Sequence, residues 1–318
     1  MRYERPSSSE QALDLMRQPG AHALGGGTDL LVSIREGLVH PELVVDLRSL
    51  PGFGEIRWQS DGSVLIGAGV GLATLAADDV MRRQFAALAT SCEAVGSPAL
   101  RNMGTLGGNL CQRPRCWYFR SGVACFKSGG SDCPAIDGAN QHLAILGGGP
   151  CHAIHPSDPA VALTALEARI HLDGPAGPHT RDIADFFAPP SVDPTRETRL
   201  APGEIVVAVE VPAASAGGQQ RFSKILQRGA WDFSLASIAV VRRQDGGVRL
   251  VLGGVAPGPW RVNTSIEEDV AAGELSADDL DALAERALYD AQPLSRNGYK
   301  VNLVKALLRE AMALAAAP

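Results

Sequence analysis

From Ser9 to Arg17 apolar positions recur at a helical step. The next stretch, AHALGGGTDLLVSIREG (21–37), reads as a short strand, a glycine turn and a helix ending at Gly37. ELVVDL (42–47) is the next apolar run, so the opening predicts a small βαβ-like unit. EIRW (55–58) and SVLIGAG (63–69) follow as a strand pair, and alanine-rich helical segments from about Leu72 to Val95 lead into GSPALRNMGTLGGN (96–109). Beyond a cysteine-bearing segment, HLAILGG (142–148) and CHAIHPSDPAVALTALEARIHLDG (151–174) predict strands around a short helix capped by Ser157 or Asp158. DGPAGPH (173–179) then marks a boundary. Past it, GEIVVAVEVP (203–212), QRFSKIL (220–226), LASIAVVRR (235–243) and GVRLVLGGVAP (247–257) are alternating or β-branched runs between turns, which predict a small antiparallel sheet. Two helices close the chain. Ser276 caps the first with Asp279 at its third position, and Asn297 caps the second, whose Leu303, Val304, Leu307 and Leu308 fall at helical spacing. The expected fold is α+β: residues 1–176 in two parts, about 1–54 and 55–176, then 177–318 as a sheet covered by helices.

A length of 318 residues agrees with two domains, and ordinary apolar and charged fractions of 45% and 20% allow a normal core. The net charge is −6 and Lys and Arg are scattered, so the electrostatic footprint of a nucleic-acid binder is absent. MRYERPSSSEQALDLM lacks the apolar core of a secretory signal, and no run of 18 apolar residues appears, so a soluble chain with no export signal of its own is expected. The six cysteines do not suggest a disulfide scaffold, a device of small secreted domains. Cys111, Cys116, Cys125 and Cys133 are close together, whereas Cys92 and Cys151 stand apart in apolar surroundings as ordinary buried thiols.

Two glycine turns change the picture. GGGTDL (25–30) places three residues without side chains before a helix, where backbone N–H groups and the positive helix end can face an anion such as phosphate; simple chain reversal is the alternative. GTLGGN (104–109) repeats the device: Gly107 and Gly108 permit close backbone approach, and Thr105 and Asn109 add polar side chains. Two such loops can grip one diphosphate. Neither fits the Rossmann or P-loop spacing, so a different nucleotide fold is required.

RPSSSEQALDLM, ALGGGTDLLVSIREG, LVVDLRSL, LIGAG, GSPALRNMGTLGGNL and HPSDPAVALTALEA together resemble the FAD-binding subunits of molybdenum hydroxylases, the group containing xanthine and carbon monoxide dehydrogenases. The resemblance covers nearly the whole chain. It implies a two-part FAD-binding domain followed by a C-terminal antiparallel sheet with helices. It implies that the first loop, Leu24, Gly25, Gly26, Gly27, Thr28, Asp29 and Leu30, and the second, Gly104, Thr105, Gly107, Gly108 and Asn109, hold the FAD diphosphate. Asp158 adds a contact, and Lys224 occupies a place near the flavin. Read from the residues alone, Asp158 is equally a helix cap and Lys224 equally a solvated strand lysine.

The cysteine spacing is C-x4-C-x8-C-x7-C. Cys111, Cys116, Cys125 and Cys133, in a segment rich in Gly and Pro, can converge without breaking a helix or a ladder, as the thiolate set of a [4Fe–4S] cluster or of zinc. Zinc knuckles pair their ligands more tightly, which favours iron and sulfur. Arg113, Arg115 and Lys127 can offset an anionic cluster, and Trp117, Tyr118, Phe119 and Phe126 can exclude water, or these side chains simply solvate and pack. CQRPRCWYFR directly after GGNL is similar to the periplasmic aldehyde oxidoreductase branch, whose flavin subunit carries an additional [4Fe–4S] cluster; an insert also occurs in 4-hydroxybenzoyl-CoA reductases. This resemblance implies an electron-transfer subunit that receives electrons from [2Fe–2S] clusters on a small partner and delivers them through FAD to an external acceptor. Aldehyde oxidation takes place at the molybdenum cofactor of a large partner. It also implies a periplasmic location reached by co-export with a signal-bearing partner, the alternative being cytoplasmic. Two other readings stay open: a self-contained flavin oxidase or reductase, for which Tyr118 and His155 are the suggested acid or base, and a zinc-bearing scaffold without catalysis.

Overall fold

The computed structural model describes residues 1–229 and 231–316. The chain opens with strand β1 (Arg2–Glu4), helix α1 (Ser9–Met16), strand β2 (Ala21–Leu24), helix α2 (Leu30–Arg35) and strand β3 (Leu43–Asp46). Ser8 starts α1 by accepting from the Gln11 N–H, a side-chain cap. The strands form a parallel sheet in the order β1-β3-β2, with β3 buried along its length. The first glycine turn is therefore the link from β2 to α2, at the carboxyl end of a parallel strand. Helix crossovers leave ligand crevices at such places.

The second unit contains β4 (Ile56–Trp58), β5 (Val64–Gly67), α3 (Leu72–Ala77), α4 (Asp79–Gln84), α5 (Ala86–Glu93), α6 (Pro98–Met103), α7 (Leu106–Leu110), α8 (Trp117–Arg120), α9 (Asp158–Ala165), β6 (Arg169–Asp173), β7 (His179–Asp182) and β8 (Ile205–Val211). Its sheet is antiparallel in the order β4-β5-β8-β6-β7. Strand β8, grouped by sequence with the strands after residue 177, thus completes the sheet of the preceding unit, and this sheet runs past the boundary expected near 176. Alternation along 205–211 tells which faces are apolar but not which strand is the neighbour. Helix α9 is buried at every position, so its apolar faces are all covered. Ser157 caps it, accepting from the Ala160 N–H, and Asp158 is its first residue.

The last unit is the antiparallel sheet β12-β11-β10-β9, built from β9 (Gln219–Ile225), β10 (Ala236–Arg242), β11 (Val248–Gly253) and β12 (Trp260–Arg261), with α10 (Thr264–Ala272), α11 (Ala277–Ala287) and α12 (Tyr299–Ala316). Alternate side chains of β10 serve different cores. Ala239 and Val241 join the core containing α5 and α9, while Ile238 and Val240 join that under α12, as the two-residue period of a strand requires. Ser276 and Asp279 form the expected capping box. Two expectations change. A third helix, α10, starts at an Asn263 cap that the pattern did not reveal. Asn297 does not cap α12 with its side chain: buried, it accepts from the Leu294 N–H and donates to the Leu143 and Ala144 carbonyls.

Those carbonyls belong to the segment expected to be strands. Residues 142–156 contain no strand. The Ile145 and Leu146 N–H groups both reach the Val255 carbonyl, and their side chains fill the core under α12. A chain whose N–H groups share one loop carbonyl and whose carbonyls are taken by the Asn297 and Lys300 side chains has no ladder to join. Among the described residues no helix is long and apolar enough to cross a membrane.

Candidate functional site

The two glycine loops close on one cavity of about 300 Å³. Gly25, Gly26, Gly27, Thr28, Asp29 and Leu30 line it from one side, and Gly104, Thr105, Gly108 and Asn109 from the other. Leu24 and Gly107 stand behind the wall. Leu24 is buried at the end of β2, and a side chain on Gly107 would meet the Cβ of Ala68 at 2.8 Å. The loops also need their glycines for each other. A Cβ on Gly26 would strike the Met103 carbonyl oxygen, and one on Gly25 would come within 2.6 Å of Thr105 Oγ1. That hydroxyl accepts from the Gly108 N–H at 3.2 Å and so shapes the second loop. Among the described residues no protein atom accepts from the N–H groups of Gly26, Gly27, Thr28 and Asp29. A run of N–H groups without a protein acceptor, on residues that line a cavity and begin with glycines, makes a nest for an anion, and fits one diphosphate.

Asp29 has a different task from its neighbours. Its carboxylate accepts from the Arg113 backbone N–H at 2.8 Å and from Arg120 Nη2 at 2.8 Å, and it pairs with the Arg115 guanidinium. Burial alone would raise its pKa, but Arg115, the Arg113 N–H and Arg120 outweigh burial and hold the carboxyl below its ordinary value. Its partners all lie in the cysteine-bearing insert. Arg113, Arg115 and Gln112 in turn line the glycine cavity, so the insert supplies a wall that the two loops lack.

Asp158 and Lys224 do not line the cavity. They bond to each other, Nζ to Oδ2 at 2.6 Å, with both side chains buried. Lys224 Nζ also donates to the Ala94 carbonyl, and the Ser234 hydroxyl donates to Asp158 Oδ1. Burial pushes the Asp158 carboxyl up while Lys224 opposes the rise. A buried carboxylate and a buried ammonium need partners, and these two provide them, which removes the solvated-strand reading of Lys224. The connection to the cavity passes through the preceding residue: the Ser157 hydroxyl donates to Asn109 Oδ1, tying the start of α9 to the second glycine loop.

The insert is held by its own hydrogen bonds. Cys116 is the residue before α8, close to the N–H groups of Tyr118 and Phe119. The Phe126 N–H reaches the Asp132 carbonyl, which draws Cys125 and Cys133 together, and the Tyr118 hydroxyl accepts from the Ala139 N–H at 2.6 Å. Burial pushes the Cys116 thiol up, the two N–H groups oppose it, and the Cys133 and Cys125 thiols add to the rise. Burial likewise pushes the Cys151 thiol up to about 11, with Lys127 opposing and Cys133 and Cys116 adding. Cys111, by contrast, is pushed up to about 12 by burial alone, packs against the first core and lines the glycine cavity. Cys125 and Cys133 thus act on Cys116, and Cys116 and Cys133 act on Cys151. No other thiol enters at Cys111, and Cys151 is not the isolated thiol its sequence surroundings suggested. Cys92 is fully buried in the first core, as expected. Nothing in the spacing pointed to Cys151, which follows Cys133 only after seventeen intervening residues.

Among the described residues no three His, Cys, Asp or Glu side chains come close enough to hold one metal ion. Positive charge at the insert exceeds negative by one. Arg113, Arg115, Arg120 and Lys127 meet the carboxylates of Asp29, Glu36 and Glu197, four cations against three anions. Phe119 is buried beneath the Arg113 and Arg120 guanidiniums at 4.6 and 5.5 Å, whereas Trp117 is exposed.

Tyr118 and His155 do not face the glycine cavity. Tyr118 is spent on Ala139, and burial pushes the His155 imidazole down to about 3, so it is neutral and holds no exchangeable charge near neutral pH. Neither is placed to act as an acid or base on a substrate at the flavin site.

Residues 1–214 match the family described as the FAD binding domain in molybdopterin dehydrogenase. The chain is 38% identical to the aldehyde oxidoreductase FAD-binding subunit PaoB of Escherichia coli, over 99% of this chain and 98% of that one. It is 25% identical to the glyceraldehyde dehydrogenase medium chain of Sulfolobus acidocaldarius, over 97% of this chain and 96% of that one. Its fold matches carbon monoxide dehydrogenase from Hydrogenophaga pseudoflava with a TM-score of 0.74, at 24% identity and covering 99% and 96% of the two chains. It also matches quinoline 2-oxidoreductase from Pseudomonas putida with a TM-score of 0.76, at 22% identity and the same coverage.

Proposed function

We propose, for a chain that belongs to the FAD-binding subunits of the molybdenum hydroxylases, that it is the flavin and [4Fe–4S] electron-transfer subunit of an aldehyde oxidoreductase. The observation that carries the flavin part is the cavity between the glycine loops, with its four consecutive free N–H groups. FAD bound there supplies the exchange between one-electron and two-electron carriers. Gly26 to Asp29 bind the diphosphate through backbone N–H groups. Thr105 shapes the opposite loop, and Asn109 holds that loop to α9 through Ser157. The aldehyde class rests on the 38% identity to a subunit of that name.

The cluster reading rests on the mutual influence of the Cys116, Cys125, Cys133 and Cys151 thiols beside Arg113, Arg115, Arg120 and Lys127, and these four cysteines are the proposed ligand set in place of one with Cys111. The partners are a large subunit with the molybdenum cofactor and a small one with [2Fe–2S] clusters, and an external acceptor takes the electrons from FAD. The compartment is the periplasm, reached by export with a signal-bearing partner. Anaerobic purification of the complex from its native host, with analysis of iron, sulfide, flavin and molybdenum, tests all of this at once. One FAD and four irons on this chain are expected. A chain that retains no FAD, or a complex confined to the cytoplasmic fraction, would overturn the corresponding part. For the ligands, Cys151→Ser is expected to lose the cluster's visible absorbance while Cys111→Ser keeps it, and the reverse result would restore Cys111.

A further inference from the structure

Asp29 and Arg120 meet across the boundary between the flavin loop and the cysteine insert, 91 residues apart in sequence. Arg120 Nη2 donates to Asp29 Oδ1 at 2.8 Å and Nη1 to Ser33 Oγ at 3.0 Å, which fixes it to the start of α2. From the same guanidinium, Nε donates to the Pro114 carbonyl at 2.8 Å and Nη2 to the Arg113 carbonyl at 3.1 Å, which fixes it to the insert. The Arg120 side chain is 14% exposed and that of Asp29 16% exposed, so water competes little. The Arg113 N–H and the Arg115 guanidinium complete the contacts to Asp29. Arg120 itself does not line the glycine cavity; its polar partners are Asp29 at the end of the first loop, Ser33 and Glu36 along and after α2, and the Arg113 and Pro114 carbonyls between two cysteines of the insert.

Resting on the flavin and cluster reading above, we infer that Asp29 and Arg120 form a joint that couples the two cofactor sites, so that loading one tightens the other. The reason is geometric. The Gly26–Asp29 N–H groups can hold a diphosphate only when Asp29 is fixed, and Asp29 is fixed by a loop whose shape the cluster sets. In the other direction, FAD orders the loop against which Arg113 and Arg120 rest. The coupling is an energy shared by both binding events, so each must affect the other by the same factor. Arg120 is a positioning residue in this scheme and touches neither cofactor. A lysine cannot replace it, because one ammonium cannot span Asp29, Ser33 and two carbonyls at once.

The test uses the purified complex, loaded or stripped of flavin, and follows iron release to a chelator and FAD dissociation by fluorescence. In the natural protein, removal of FAD is expected to speed iron loss, and removal of iron to weaken FAD binding, each on the order of tenfold within the usual range of such couplings. In Arg120→Ala and Arg120→Lys, FAD binding is expected to weaken by a similar factor and iron loss to become independent of flavin. A purely structural role for Arg120 would accelerate iron loss by the same factor with and without FAD, leaving its flavin dependence intact, and that result overturns the inference. Iron loss from the natural protein that is indifferent to FAD overturns it without any variant. A natural protein that holds no FAD or no iron at all defeats the functional reading instead, so the two failures are separate.

Discussion

At the scale of single residues, the glycines before and after α2 divide by what their missing side chains would meet. Gly26 faces a backbone carbonyl that cannot move without moving α6, whereas Gly37, with φ near +70°, has open space around it. Gly37→Ala therefore carries only the left-handed backbone cost, about 1–2 kcal/mol. Gly26→Ala, whose backbone is not left-handed, instead overpacks, which typically costs about 1–3 kcal/mol, and pushes the two loops apart. Chemical denaturation should show both variants destabilised, while FAD content falls only in Gly26→Ala. Loss of flavin in Gly37→Ala to the same degree would mean that the helix after the turn, and not the approach of the loops, controls binding. Glycine is legible in sequence because its effect is local, and the two loops were visible from composition alone. Asp29 was not: its type and place in GGGTDL fit a diphosphate loop, and only the fold brings Arg113, Arg115 and Arg120 onto it.

At the scale of elements, caps show the difference between a local and a tertiary role for the same residue type. Ser276 and Asp279 bond reciprocally on the surface, so Ser276→Ala should cost about 1 kcal/mol, as isolated caps do. Asn297, fully buried, serves one N–H and two carbonyls on two separate segments. Asn297→Ala leaves those groups without partners at about 1–3 kcal/mol each. It is expected to be several times more damaging than Ser276→Ala in urea unfolding, and equal effects would mean that water replaces the amide. Periodicity located both helices but could not tell these roles apart, since the partners of Asn297 lie 153 and 154 residues away. The same limit explains Cys151. The spacing rule weighs nearness in sequence, whereas the thiol reaches Cys116 and Cys133 because residues 142–156 are folded back onto the last sheet. Strand β8 was displaced for a related reason, its alternation being equally compatible with either sheet.

At the scale of the whole molecule, the segment between the insert and α9 joins the flavin unit to the C-terminal sheet, and its fastening includes a charge problem. Lys300 is fully buried, with Nζ donating to the His142 carbonyl at 3.0 Å and the Gly254 carbonyl at 2.8 Å. Burial pushes this lysine down to about 7 from an ordinary value of 10.5. His142, the titratable neighbour along the segment, is itself pushed down by burial and by Lys300, so it relieves nothing. Because the folded pKa lies below the unfolded one, the unfolded chain binds more protons between about pH 7 and 10.5, and stability attributable to Lys300 rises with pH through that window. Below it the ammonium is charged in both states and its full desolvation cost remains. Lys300→Met removes the titration but leaves two carbonyls without a donor. The natural chain should therefore gain on the variant as pH climbs from 7 to 10, read as the difference between their urea midpoints. A difference that is flat across this range would show that the ammonium stays charged in the folded state. The joint would then be held by charged hydrogen bonds to the two carbonyls, and not by an amine neutralised by burial.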